Sequence, residues 1–151
     1  MAQSLSNVLV HIIFSTKDRR PLLGDLILRA AMHRYLGAVS VRLDCPVVRV
    51  GGVGDHVHLL ARQRRTITVA EWVKGLKRAS SQWAKTQGAS VRGFQWQAGY
   101  GAFSVSQSLS GKVERYIEQQ EEHHGQSDFQ TEFRKLLEVH GVAYDERYVW
   151  D

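Results

Sequence analysis

The chain has 151 residues, 43% of them apolar and only two of them proline, a composition that suits one domain with one core and excludes intrinsic disorder. The opening MAQSLSNVLVHIIF lacks the charged start and cleavage site of a secretory signal, no apolar run is long enough to span a bilayer, and the lone Cys45 excludes an internal disulfide, so a cytoplasmic setting is expected. The net charge of +5 divides into +10 over residues 1–99 and −5 over residues 100–151, which points to a polyanion bound by the basic body, although ordinary solvated charge accounts for the total equally well.

Residues 7–16 (NVLVHIIFST) are apolar and β-branched on both faces, as in a buried central strand. Asp25 is placed to cap a helix on which Leu28, Met32, Tyr35 and Val39 recur at helical spacing. Residues 46–53 read as a second strand. The turn residues of GGVGD (51–55) then lead into a third strand over His56–Arg62, paired to the second as a hairpin. Thr68 and Glu71 form a T-x-x-E capping box before a helix whose buried stripe is Val69, Trp72, Val73, Leu76 and Trp83. Lys74, Lys77, Arg78 and Lys85 lie on its other faces. Residues 94–96 and 101–106 read as one or two short strands. Ser108 opens a helix running to about residue 124, and Asp128 caps a last helix to about residue 140. The order strand, helix, strand, strand, helix, strand predicts an α+β, ferredoxin-like (RRM-like) antiparallel sheet with helices on one face. The C-terminal helices are extra to that unit and must pack on it or on a partner.

Two constellations carry chemistry. His56 and His58 lie two apart on a strand, so their imidazoles project side by side and can ligate one divalent metal; the alternative is two strand histidines with no ligand. Tyr116 and Gln120 lie four apart on a helix, so they share a face. A phenol can attack phosphorus and an amide oxygen can complete a metal site, yet Leu109, Val113, Tyr116, Ile117 and Gln120 also form the stripe of a plain buried helix. His11, in an apolar strand, reads as a satisfied core histidine, and His123 and His124 read as surface residues or DNA contacts. Arg62, Arg64 and Arg65 follow the His-x-His strand and suit phosphate binding as well as they suit an ordinary basic loop.

GGVGDHVHLL, the Trp- and Lys-bearing helix after it, FQWQAGYGAFSVS and VERYIEQQEEHH together resemble the single-tyrosine HUH transposases of the smallest bacterial insertion sequences. The likeness extends to HIIFSTKDRRPLL near the start and YDERYVWD at the end, so one domain over residues 1–151 is expected. The resemblance implies that His56, His58 and Gln120 bind Mg²⁺ or Mn²⁺ and that Tyr116 is the nucleophile. It implies cleavage and rejoining of single-stranded DNA through a 5′-phosphotyrosine, with no nucleotide cofactor and no membrane. It also implies hairpin recognition at element ends by a homodimer in which the tyrosine helix of one subunit completes the metal site of the other. Arg62, Arg64, Arg65, Lys74, Lys77 and Arg78 are the candidates to track the DNA backbone, and Trp96 and Tyr100 those to stack on bases, although core packing suits both at least as well. The rival readings are a non-catalytic module that binds single-stranded nucleic acid and a domesticated HUH nickase.

Overall fold

The computed structural model describes residues 1–124 and 127–151, and the side chains of His123 and His124 fall outside that description. Four strands, β1 (Leu9–Ser15), β2 (Val47–Gly52), β3 (His56–Arg62) and β4 (Gly101–Val105), form one antiparallel sheet in the order β2-β3-β1-β4. All seven residues of β1 are buried, because it lies between β3 and β4 and is covered on both faces. The strand period then splits the sequence into two cores.

Val10, Ile12 and Phe14 of β1 and Val57, Leu59 and Ala61 of β3 face α1 (Leu26–Arg42) and α2 (Val69–Ala84). The predicted caps start both helices: Asp25 accepts from the Leu28 amide at 2.9 Å and Thr68 from the Glu71 amide at 3.0 Å, bonds of the kind worth about 1 kcal/mol each. Trp72 is fully buried in this core and still satisfied, its indole N–H donating to Ser40 Oγ at 3.0 Å.

The other face carries Leu9, His11, Ile13, His56, His58 and Leu60 under α3 (Ser110–Glu118), α4 (Gln120–His124) and α5 (Phe129–Val139). The C-terminal helices therefore pack on this chain's own sheet. Asp128 caps α5 as expected, accepting from the Thr131 amide at 2.8 Å. Two glycines admit these helices. A Cβ on Gly51 of β2 would lie 2.6 Å from the Ile117 carbonyl oxygen of α3, and one on Gly101 of β4 would strike the Phe133 ring of α5.

Two expectations are corrected. The helix from Ser108 to about residue 124 is broken at Gln119 into α3 and α4. Residues 94–96 form no strand: only an isolated bridge joins Thr16 to Trp96, and the Trp96 indole turns inward to Ser80 Oγ at 2.9 Å. No helix among the described residues is long and apolar enough to cross a membrane.

Candidate metal and nucleophile site

β3 delivers His56 and His58 to the face beneath the C-terminal helices, and both rings are fully buried. Each is braced on the nitrogen that points away from the other groups. His56 Nδ1 donates to the Asp55 carboxylate at 2.7 Å. His58 Nδ1 and His11 Nε2 share a hydrogen bond of 2.8 Å across β3 and β1. His11 is thus the satisfied core histidine expected, and its bond holds the His58 ring. Burial, reinforced by His58, depresses its pKa to about 3, so it is neutral at physiological pH.

The opposite nitrogens converge. His56 Nε2 lies 3.1 Å from Gln120 Oε1 and 3.8 Å from Glu132 Oε1, and His58 Nε2 lies 2.7 Å from Glu132 Oε1. His56 Nε2 and Gln120 Oε1 are within hydrogen-bonding distance, with Asp55 fixing the other side of the ring. His58 Nε2 and Glu132 Oε1 touch without the alignment of a hydrogen bond, and the Gln120 amide nitrogen has no partner among the described residues. Buried polar atoms left unsatisfied, here His58 Nε2, Gln120 Nε2 and Glu132 Oε1, are costly unless a compensating group sits among them. One ligand atom each from His56, His58 and Glu132 fits within a 4.8 Å span, and carboxylate and amide oxygens add hard donors to the two imidazoles. The donor set fits a divalent cation.

Tyr116, from the turn of α3 before Gln120, is half-buried with its ring 5.8 Å from that of His58 and 6.4 Å from that of His11. It hydrogen-bonds with Glu132. Burial, and then the negative carboxylate beside it, push the phenol well above its ordinary pKa. Burial alone would raise the Glu132 carboxyl, but its contacts with His58, His56 and Tyr116 outweigh that and hold it well below the usual carboxylate range. Burial likewise keeps His58 neutral. A cleft of about 290 Å³, lined by Tyr116, Thr131, Glu132 and Lys135, opens beside the phenol.

The four residues singled out in the sequence, His56, His58, Tyr116 and Gln120, therefore meet within a single chain. The basic candidates do not join them. Arg62 ends β3, four residues and about 13 Å along the strand from His58. Arg62 donates to Asn7 and Arg64 to the Leu43 carbonyl, while Arg65 is exposed. Lys74 and Arg78 are exposed on α2. Lys77 instead donates to the carbonyls of Gln97, Ala98 and Gly99 at 2.8, 3.2 and 2.6 Å, which ties it to the loop before β4. Trp96 is a core residue and Tyr100 is partly exposed. Sequence reasoning missed Asp55 and Glu132. The signal for Glu132 was a carboxylate at position 132 within the buried α5 stripe of Phe129, Phe133 and Leu137.

A family model described as transposase IS200-like matches residues 4–120. Among solved structures, the crystal structure of a Deinococcus radiodurans R1 protein assigned as a transposase is similar over 80% of this chain and 95% of its own, with TM-score 0.62 and 23% identity. A REP-associated tyrosine transposase bound to a REP hairpin is similar over 83% of this chain and 75% of its own, with TM-score 0.60 and 13% identity. At such identities these two structures bear on the fold alone. No curated protein matches the chain.

Proposed function

The chain belongs to the IS200-like transposase family, and from that membership we propose that it cuts and rejoins single-stranded DNA at insertion-sequence ends with Tyr116 as nucleophile. The observation that carries the reading is the meeting of the Tyr116 helix turn, the His56–His58 pair and Gln120 under one sheet face.

His56, His58 and Gln120 would hold Mg²⁺ or Mn²⁺. Bound there, the ion would polarise the scissile phosphate and offset the charge that builds on its oxygens. The Tyr116 oxygen attacks phosphorus, forming a 5′-phosphotyrosine and releasing a 3′-hydroxyl; attack by a 3′-hydroxyl on that linkage later reverses the exchange. One phosphodiester is traded for another, so no nucleotide cofactor is required. The raised phenol pKa means that Tyr116 meets the phosphate protonated and loses its proton as the new bond forms. Asp55 and His11 hold the two imidazoles in register meanwhile.

A nucleophile half-buried beneath helices demands an unpaired strand. By extension from the hairpin-bound relative, a hairpin at the element end supplies recognition, and Arg62, Arg64, Arg65, Lys74 and Arg78 are its phosphate contacts. One nucleophilic tyrosine per chain, Tyr116, implies that a homodimer handles two ends.

The test is a denaturing gel with protein, Mg²⁺ or Mn²⁺, and single-stranded DNA from the flanking element end. The wild type is expected to give a metal-dependent covalent adduct, and Tyr116→Phe none while still binding the DNA. Hairpin binding by the wild type with no adduct in either metal would replace this reading with that of a non-catalytic binder.

A further inference from the structure

We infer that Glu132 of α5 is a ligand of the metal and supplies the negative charge of its site; this rests on the functional reading above. The family match ends at residue 120, so α5 lies beyond it. The geometry assigns the role on three counts. Glu132 Oε1 lies 2.7 Å from His58 Nε2 and 3.8 Å from His56 Nε2, on the side of each ring opposite its bracing partner. Glu132 is 7% exposed, and Oε1 makes no well-formed hydrogen bond, although an ionised carboxylate oxygen in such a place needs a compensating cation or donor. The side chains that meet its carboxylate are His56, His58 and Tyr116, so it sits against both imidazoles of the pair.

The ligand set without Glu132 is two imidazoles and one amide, all neutral. Two imidazoles favour borderline metals such as Zn²⁺, whereas carboxylate oxygen favours Mg²⁺ and Mn²⁺. Glu132 turns the set into two nitrogens, one neutral oxygen and one anionic oxygen. Because the same carboxylate hydrogen-bonds the Tyr116 phenol, it also ties the position of the nucleophile to that of the ion. The local sequence provides the placement: Phe129, Phe133 and Leu137 anchor α5 to the sheet, and Glu132 faces inward beside Phe133.

The test is Mn²⁺ binding to the DNA-free full chain, by calorimetry and by Mn²⁺ electron paramagnetic resonance. Glu132→Gln keeps the shape and removes the charge. Glu138→Gln makes the same charge change at an exposed site on the same helix, and His58→Ala reports loss of an imidazole. The expected result is at least a tenfold weaker Kd for Glu132→Gln, a comparable loss for His58→Ala and no change for Glu138→Gln. Wild-type affinity in Glu132→Gln together with loss in His58→Ala would overturn the inference and leave the proposed function standing. No Mn²⁺ or Mg²⁺ binding by the wild type would overturn both. Should Glu132→Gln fail to fold, the wild type alone still decides: Mg²⁺ must displace a carboxylate stretching band in difference infrared spectra, and an unmoved band rejects the ligand role.

Discussion

The Asp55 carboxylate accepts the Nδ1 proton of His56 at 2.7 Å, which selects the ring tautomer and turns Nε2 toward Gln120 and Glu132. Such carboxylate–imidazole pairs raise the basicity of the ligating nitrogen, and losing the partner costs about 10- to 100-fold in metal affinity. Asp55→Ala is therefore expected to weaken Mn²⁺ binding by roughly tenfold or more while the circular dichroism spectrum stays that of the wild type. Unchanged affinity on calorimetric titration would mean that packing against Phe129, whose ring lies 4.8 Å from His56, orients the imidazole unaided. The His56–His58 pair was legible because a strand repeats every two residues. Asp55 was hidden for the opposite reason: it ends GGVGD, where an aspartate reads as turn chemistry. Glu132 lies far along the chain from the histidines, and no local period reports a contact made by tertiary packing.

At the scale of elements, the site depends on how closely α3 lies on β2. Gly51 permits that approach, since a Cβ there would sit 2.6 Å from the Ile117 carbonyl oxygen and 2.8 Å from Ile117 Cγ2. The first of these is backbone, so the helix itself must shift. Gly51→Ala is expected to cost about 1–3 kcal/mol, the usual range for overpacking, and to carry Tyr116 and Gln120, which flank Ile117, away from the histidines. Thermal melts should show the loss, and adduct formation and Mn²⁺ affinity should fall with it. Gly93→Ala, with nothing within 4 Å of the new Cβ, is the control. A lower melting temperature with unchanged Mn²⁺ affinity would show that α3 yields without moving Gln120. The break at Gln119, where φ is −96° and ψ is 20°, belongs to the same packing. VERYIEQQEEHH contains no glycine or proline to announce it, so a continuous helix was the natural reading; the chain turns there with Gln120 buried against His56. Residues 94–96 misled through propensity. Their aromatic and β-compatible composition suits a strand, but Phe94 and Trp96 serve the core beneath α2, and the Lys77 ammonium gathers the carbonyls that follow.

For the whole molecule, hydrophobic period and turn chemistry were enough to read the four-stranded antiparallel sheet, because each strand and both crossover helices carry their own signal. The closing of its second face by α3, α4 and α5 was not readable, since an amphipathic helix fits its own sheet and a partner's surface alike. Charge distribution was readable as a sum and not as a map. Part of the excess over residues 1–99 lies in two separate places: Arg62, Arg64 and Arg65 at and beyond the end of β3 remote from His56, and Lys74 and Arg78 on α2. Hairpin binding through phosphates releases condensed counterions, so log K against log salt should be linear, with a slope of about −0.9 per phosphate neutralised on duplex and about −0.7 on single strand. Changing Arg62, Arg64 and Arg65 together to Ala should flatten that slope by up to about 3, and changing Lys74 and Arg78 by up to about 2, if each residue meets one phosphate. Lys77→Ala should act through stability, because its ammonium is already held by three carbonyls. Fluorescence anisotropy between about 50 and 200 mM salt separates the cases. A flatter slope for the arginine triple alone places the stem at the β3 end, and one for the α2 pair alone places it along the helix. A slope unchanged in both removes these residues from the DNA interface. In each case Mn²⁺ affinity should stay at the wild-type value, because none of these side chains is among the groups converging on His56 and His58.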